Sequence, residues 1–81
     1  MSLTASEKSY QSIRSKLEDG SLGPGEKLVT RTLAKEIGVS LSPVREAINR
    51  LATEGLISHT PGAGAEVKRL DIEELDELYV L

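Results

Sequence analysis

Leu33-Ala34-Lys35-Glu36-Ile37-Gly38-Val39-Ser40-Leu41-Ser42-Pro43-Val44-Arg45-Glu46-Ala47-Ile48-Asn49-Arg50-Leu51 contains two apolar stripes of helical period, separated by a glycine. Leu33, Ala34 and Ile37 share one side of a helix that Thr30 can cap and Gly38 ends. Ser42-Pro43 then opens a second helix, with a capping hydroxyl and a proline at the first helical position. In that helix Val44, Ala47, Ile48 and Leu51 fall at i, i+3, i+4 and i+7, and Gly55 closes it. Ala34 and Gly38 are small, so the helices can close on each other with Val39 plugging the turn. Two helices joined by a tight, glycine-containing turn make a helix-turn-helix. Its second helix leaves Ser42, Arg45, Asn49 and Thr53 facing away from the apolar stripe, the division a recognition helix needs.

Working outward, residues 4–19 read as a preceding helix. Thr4 and Glu7 have capping-box spacing, Tyr10, Ile13 and Leu17 form its stripe, and Gly20 sits at its C-cap. A turn-rich break, Ser21-Leu22-Gly23-Pro24-Gly25, leads to a brief strand at Glu26–Val29. Beyond the recognition helix, Leu56–Thr60 and Ala65–Arg69 read as two strands around Pro61-Gly62-Ala63-Gly64, a hairpin whose tip needs positive φ. Asp71 and Glu74 open a last helix that stops at Leu81 without a C-cap. The fold class is therefore mainly α with a small β-hairpin: a winged helix-turn-helix, with an acidic linker helix at the C-terminus. Residues 4–70 form the domain. Residues 71–81 read as a linker and the start of a longer helical segment.

Composition narrows the function. The chain is 38% hydrophobic and 28% charged, a globular balance, with no Trp or Phe and two Tyr to build a core. Absence of Cys excludes disulfides and thiolate metal sites and fits a reducing cytoplasm. No apolar run is long enough to span a membrane. The formal charge of −3 divides unevenly: residues 1–70 carry all ten bases against eight acids, and residues 71–81 carry five acids and no base. Affinity for nucleic acid must therefore come from a local patch. His59 is the only histidine, without a second metal-ligating partner, and the chain offers no titratable constellation for catalysis. Gly23-Pro24-Gly25 lacks the Lys-Ser/Thr of a phosphate loop. Neither an enzyme nor a cofactor is expected.

Several ordered blocks resemble the N-terminal domain of the GntR family of bacterial regulators. They are Leu22-Gly23-Pro24-Gly25-Glu26-Lys27-Leu28, Leu33 to Ser40, Ser42 to Ile48, Arg50-Leu51 and Glu54-Gly55-Leu56-Ile57. Residues 71–79 are similar to the linker and first helix before the helical ligand-binding domain of the fatty-acid-regulator (FadR-like) branch. The resemblance implies a homodimer on a palindromic double-stranded operator, acting as a metabolite-responsive repressor whose effector binds the missing C-terminal domain. It also implies DNA contacts at Arg31, at Ser40, Leu41, Ser42 and Arg45, and at the wing-tip Gly62. Two positions depart from the family pattern. Leu41 stands where Arg is common, and the wing tip is Gly62-Ala63-Gly64 rather than polar or basic. Both departures remove positive charge and imply weaker or differently specified binding.

The residues leave other readings open. Arg45 fits a solvated surface residue, or a partner for Asn49 one turn on. Arg31 fits a snorkelling surface group, Ser40 and Ser42 fit turn and cap hydroxyls, and Glu46 and Arg50 have the spacing of a helix-surface ion pair. The low net charge, Leu41 and the neutral wing fit a winged helix used for protein–protein interaction.

Overall fold

In the computed structural model, which describes residues 3–60 and 64–68, Thr4 has the extended backbone of an N-cap, and its hydroxyl accepts the Glu7 N–H at 3.1 Å. Helix α1 (Ala5–Glu18) follows, then strand β1 (Lys27–Leu28), helix α2 (Thr30–Ile37), helix α3 (Leu41–Thr53), and strands β2 (Ile57–Thr60) and β3 (Gly64–Val67). The winged helix-turn-helix order holds. The expected helix from Asp71 and the wing-tip residues 61–63, Gly62 among them, lie outside the described residues.

Both helix starts in the central motif differ from the sequence expectation. Thr30 is already helical and Val29 occupies the N-cap, without a capping side chain. Ser40, not Ser42, is the N-cap of α3, and its hydroxyl makes no capping bond. Pro43 consequently falls third in the helix rather than first. It is tolerated there because the first-turn N–H groups have no intrahelical acceptor in any case. The earlier start also lets Leu41 pack against the core.

Gly38 ends α2 with φ +84°, and its N–H and that of Val39 both return to the Ala34 carbonyl, at 2.9 and 3.0 Å. Only glycine takes that backbone readily. Ala34 is buried below it, and Val39 packs half-buried against the core. The turn therefore closes for the reason its residues suggest.

The strands form one antiparallel sheet in the order β1-β3-β2. Leu28 and His59 both lie opposite Ala65, and Ile57 lies opposite Val67. Gly25 donates to the Val67 carbonyl and Val67 donates to that of Glu26, each at 2.8 Å. The inner face of this sheet supplies Leu28, Ile57, Ala65 and Val67 to a core completed by Tyr10 and Ile13 of α1, Leu33 and Ala34 of α2, and Val44, Ala47, Ile48 and Leu51 of α3. Ile13, Val44 and Leu51 are completely buried.

Tyr10 joins α1 to the end of α3. Its hydroxyl donates to Glu54 at 2.5 Å and accepts from Arg14 at 2.7 Å, and the Arg50 guanidinium lies 3.8 Å from the ring centroid. Arg50 reaches Glu7 at 3.4 Å and Glu54 at 4.0 Å. The Glu46–Arg50 pair suggested by spacing does not form. The aromatic face and the α1 carboxylate draw Arg50 across the helix interface, and Glu46 accepts instead from the Ser6 hydroxyl.

Three substitutions test these features. An added Cβ at Gly38 meets nothing within 4 Å, so the cost of Gly38→Ala is conformational. It should lower unfolding free energy by about 1–2 kcal/mol in urea titration. Gly23→Ala, equally unobstructed and without a positive φ, should leave stability unchanged or raise it by about 0.4–1 kcal/mol. Tyr10→Phe keeps the buried ring but removes both hydroxyl bonds, and should cost about 0.5–1.5 kcal/mol in the same titration.

Candidate nucleic-acid interface

Burial of Val44, Ala47, Ile48 and Leu51 fixes the rotation of α3 about its axis. Ser42, Arg45, Asn49 and Thr53 consequently emerge on the exposed side. Among the described residues no side chain pairs with Arg45, so the expected alternative of an Asn49 partner is not realised. Thr53 turns its hydroxyl back to the Asn49 carbonyl at 3.0 Å and is thereby removed from the outward donors.

Charge is segregated around the same helix. Glu46 and Glu54 face α1, held by Ser6 and by Tyr10 and Arg50. Arg45 stands on the opposite flank, toward the hairpin. There it lines a cleft of about 200 Å³ whose floor is Leu28, Ile48 and Ala65. Thr30, Arg45, Asn49 and His59 form the polar rim, and Gly64, at φ +85°, marks the hairpin end. Among the described residues no carboxylate lines this cleft.

Helix termini reinforce that polarity. α1 has a side-chain cap and an acid in its first turn, whereas α2 and α3 have neither. The leading N–H groups of α2 and α3 therefore lack side-chain acceptors and carry the positive end of the helix dipole. Arg31 is exposed in the first turn of α2, and Ser40 and Ser42 are exposed at the start of α3. Leu41 is half-buried and divides its surface between core and solvent. The sequence-predicted site residues within the described chain thus gather at the open ends of two helices. Thr30 and His59 were not among them. The sequence makes Thr30 a cap, while the two-residue alternation from Ile57 places His59 on the inward sheet face.

Among the described residues no group of three or more His, Cys, Asp or Glu is placed to hold a metal. No helix there is long and apolar enough to cross a membrane.

The family model for bacterial regulatory proteins of the gntR family matches residues 5–67. The chain belongs to that family. It is 36% identical over 66 residues to the HTH-type transcriptional regulator McbR of Escherichia coli (strain K12), covering 82% of this chain and 30% of the relative. It is 41% identical over 58 residues to the Nta operon transcriptional regulator of Aminobacter aminovorans, covering 72% of this chain and 28% of the relative. Among solved structures it is similar to E. coli McbR/YncC, with a TM-score of 0.80 and 31% identity over 95% of this chain and 36% of that one. It also resembles the AraR DNA-binding domain in complex with operator ORR3, with a TM-score of 0.74 and 28% identity over 83% of this chain and 82% of that one. The GntR match thus extends across all six elements of the described residues, yet the chain spans only 30% of the length of McbR and 28% of that of the Nta operon regulator.

Proposed function

We propose that this chain is the duplex-reading domain of a bacterial transcription regulator, with α3 in the major groove and the β2–β3 hairpin toward the adjoining minor groove. One observation carries the reading. One face of the leading turns of α3 is open to solvent, with Arg45 unpaired among the described residues and the helix's acids turned to the opposite flank. A guanidinium so placed can donate a bidentate pair to a guanine edge. Arg31 and the open N-termini of α2 and α3 then hold phosphates, with Ser40 and Ser42 as further donors. Leu41 offers its remaining exposed surface to a thymine methyl. Gly62 is proposed to approach the minor groove through its backbone. The AraR DNA-binding domain, similar over most of this chain, is solved in complex with an operator, which supports DNA as the partner.

The protein containing this domain is proposed to be a cytoplasmic homodimer on a palindromic operator. It acts as a metabolite-responsive repressor of the fatty-acid-regulator branch, with the effector site outside these residues. The domain itself is not an enzyme and needs no cofactor.

Arg45→Ala should weaken binding to a duplex selected by the wild-type chain by about 1–3 kcal/mol and relax preference at one base pair. Competition with single-base variants of that duplex reads both effects. Arg31→Ala should instead weaken binding to all duplexes alike and reduce the slope of log affinity against log salt by about 0.9. A wild-type chain with no measurable duplex affinity at any salt would favour the protein-interaction reading.

A further inference from the structure

The imidazole of His59 has no role in the interface proposed so far, yet its position on β2 aims it there. It lies two residues beyond Ile57, on the same face of the pleat, and opposite Ala65 in the register. Ile57, Ala65 and Val67 on that face are buried, whereas His59 is exposed where the face runs out of the core. There it meets Thr30, Arg45 and Asn49 around the cleft between α3 and the hairpin.

This rim brings a hydroxyl, a guanidinium, an amide and an imidazole from three separate elements. Their shared capacity is hydrogen-bond donation. The acids nearby in sequence are turned elsewhere: Glu66 pairs in register with Lys27 and Ser58, alternating with the buried face, and Glu46 meets Ser6. A second cleft of about 240 Å³, between α1, β1 and α2, differs in this respect. Its lining mixes Lys16 and Lys27 with Glu26 and Glu36, so an anion there would face two carboxylates.

A duplex supplies what the donor-lined cleft lacks. When a helix occupies the major groove and its neighbouring hairpin points to the adjacent minor groove, a single sugar–phosphate strand runs between them. That strand crosses the cleft. We propose that the cleft is a phosphate seat in which His59 and Thr30 hold a phosphodiester of this dividing strand, while Arg45 and Asn49 extend past it to the bases. The seat rests on the duplex-binding reading and adds to it a contact that fixes how deeply α3 enters the groove.

The seat makes binding proton-linked. A phosphodiester pairs better with the imidazolium than with the neutral ring, so affinity rises on acidification. Among the described residues that share the cleft with His59, Arg45 of α3 is a cation, and Thr30 of α2, Asn49 of α3, Leu28 of β1 and Ala65 of β3 are neutral. The chain has no other histidine to titrate.

The test measures affinity for a labelled duplex, recovered by the wild-type chain from a randomised pool, against salt at about pH 7 and about pH 5.5. On acidification the wild type should tighten several-fold and its log–log salt slope should steepen by about 0.9, one added phosphate contact. His59→Gln should show neither change, and His59→Lys should hold the steeper slope at both pH values. A pH response retained in full by His59→Gln overturns the phosphate seat. Arg45-dependent base preference would then still leave the duplex-binding reading standing. Failure of the wild type to recover any duplex removes both.

Discussion

The apolar back of α3 is the constraint on which the remaining architecture depends. Val44, Ala47, Ile48 and Leu51 are at most 3% exposed, and they meet α1, α2 and the sheet together. Burying a Val, Leu or Ile side chain is worth about 1.5–3 kcal/mol. Three such residues therefore contribute an amount comparable with the roughly 5–15 kcal/mol net stability of a whole domain. The helix cannot rotate to present another face without losing that contribution. Since the helical period is fixed, the outward direction of Ser42, Arg45 and Asn49 is a consequence of core burial rather than of any bond they make themselves.

The same helix also solves an electrostatic problem that composition poses. A chain with formal charge −3 has no general field to attract a polyanion. On α3, however, Glu46 and Glu54 are engaged at the α1 interface, and Arg50 goes with them to the Tyr10 ring. These surface pairs contribute little stability individually. Their larger consequence is placement: they withdraw two carboxylates from the flank that Arg45, Asn49 and His59 share. Local sign, rather than net sign, then governs what approaches the cleft.

The features legible in sequence are those set by period and by backbone geometry. The stripes of α1, α2 and α3, the left-handed Gly38 and the two long strands all follow from local rules, and the structure places them within a residue or two. Helix starts were less legible. Ser42-Pro43 satisfies a local capping rule, but packing of Leu41 against the core extends α3 backward to Ser40. Arg50 was misplaced for a related reason. Spacing on one helix identifies Glu46, whereas the aromatic ring that wins belongs to another helix forty residues away. In the candidate site, Ser42 and Arg45 are legible from the polar side of α3, Arg31 and Ser40 only through family resemblance, and all four are exposed. His59 escaped because a lone histidine suggests nothing until the register sets it opposite Ala65.

The two-residue strand β1 has importance out of proportion to its length. A hairpin alone is at best marginally stable in water and has no fixed direction relative to a helix. Here β3 is the central strand, gripped by β2 on one side and by β1 on the other. Leu28 of β1 lies opposite Ala65 and shares the cleft floor with Ile48 of α3, so one apolar contact joins strand, hairpin and recognition helix. β1 is in turn separated from α2 by Val29 alone, which ties the open end of α2 to the same sheet. The three elements that offer donors to the cleft are therefore held as one body. Their spacing is set by the core before any ligand arrives, so binding need not supply the entropy of bringing these three elements together.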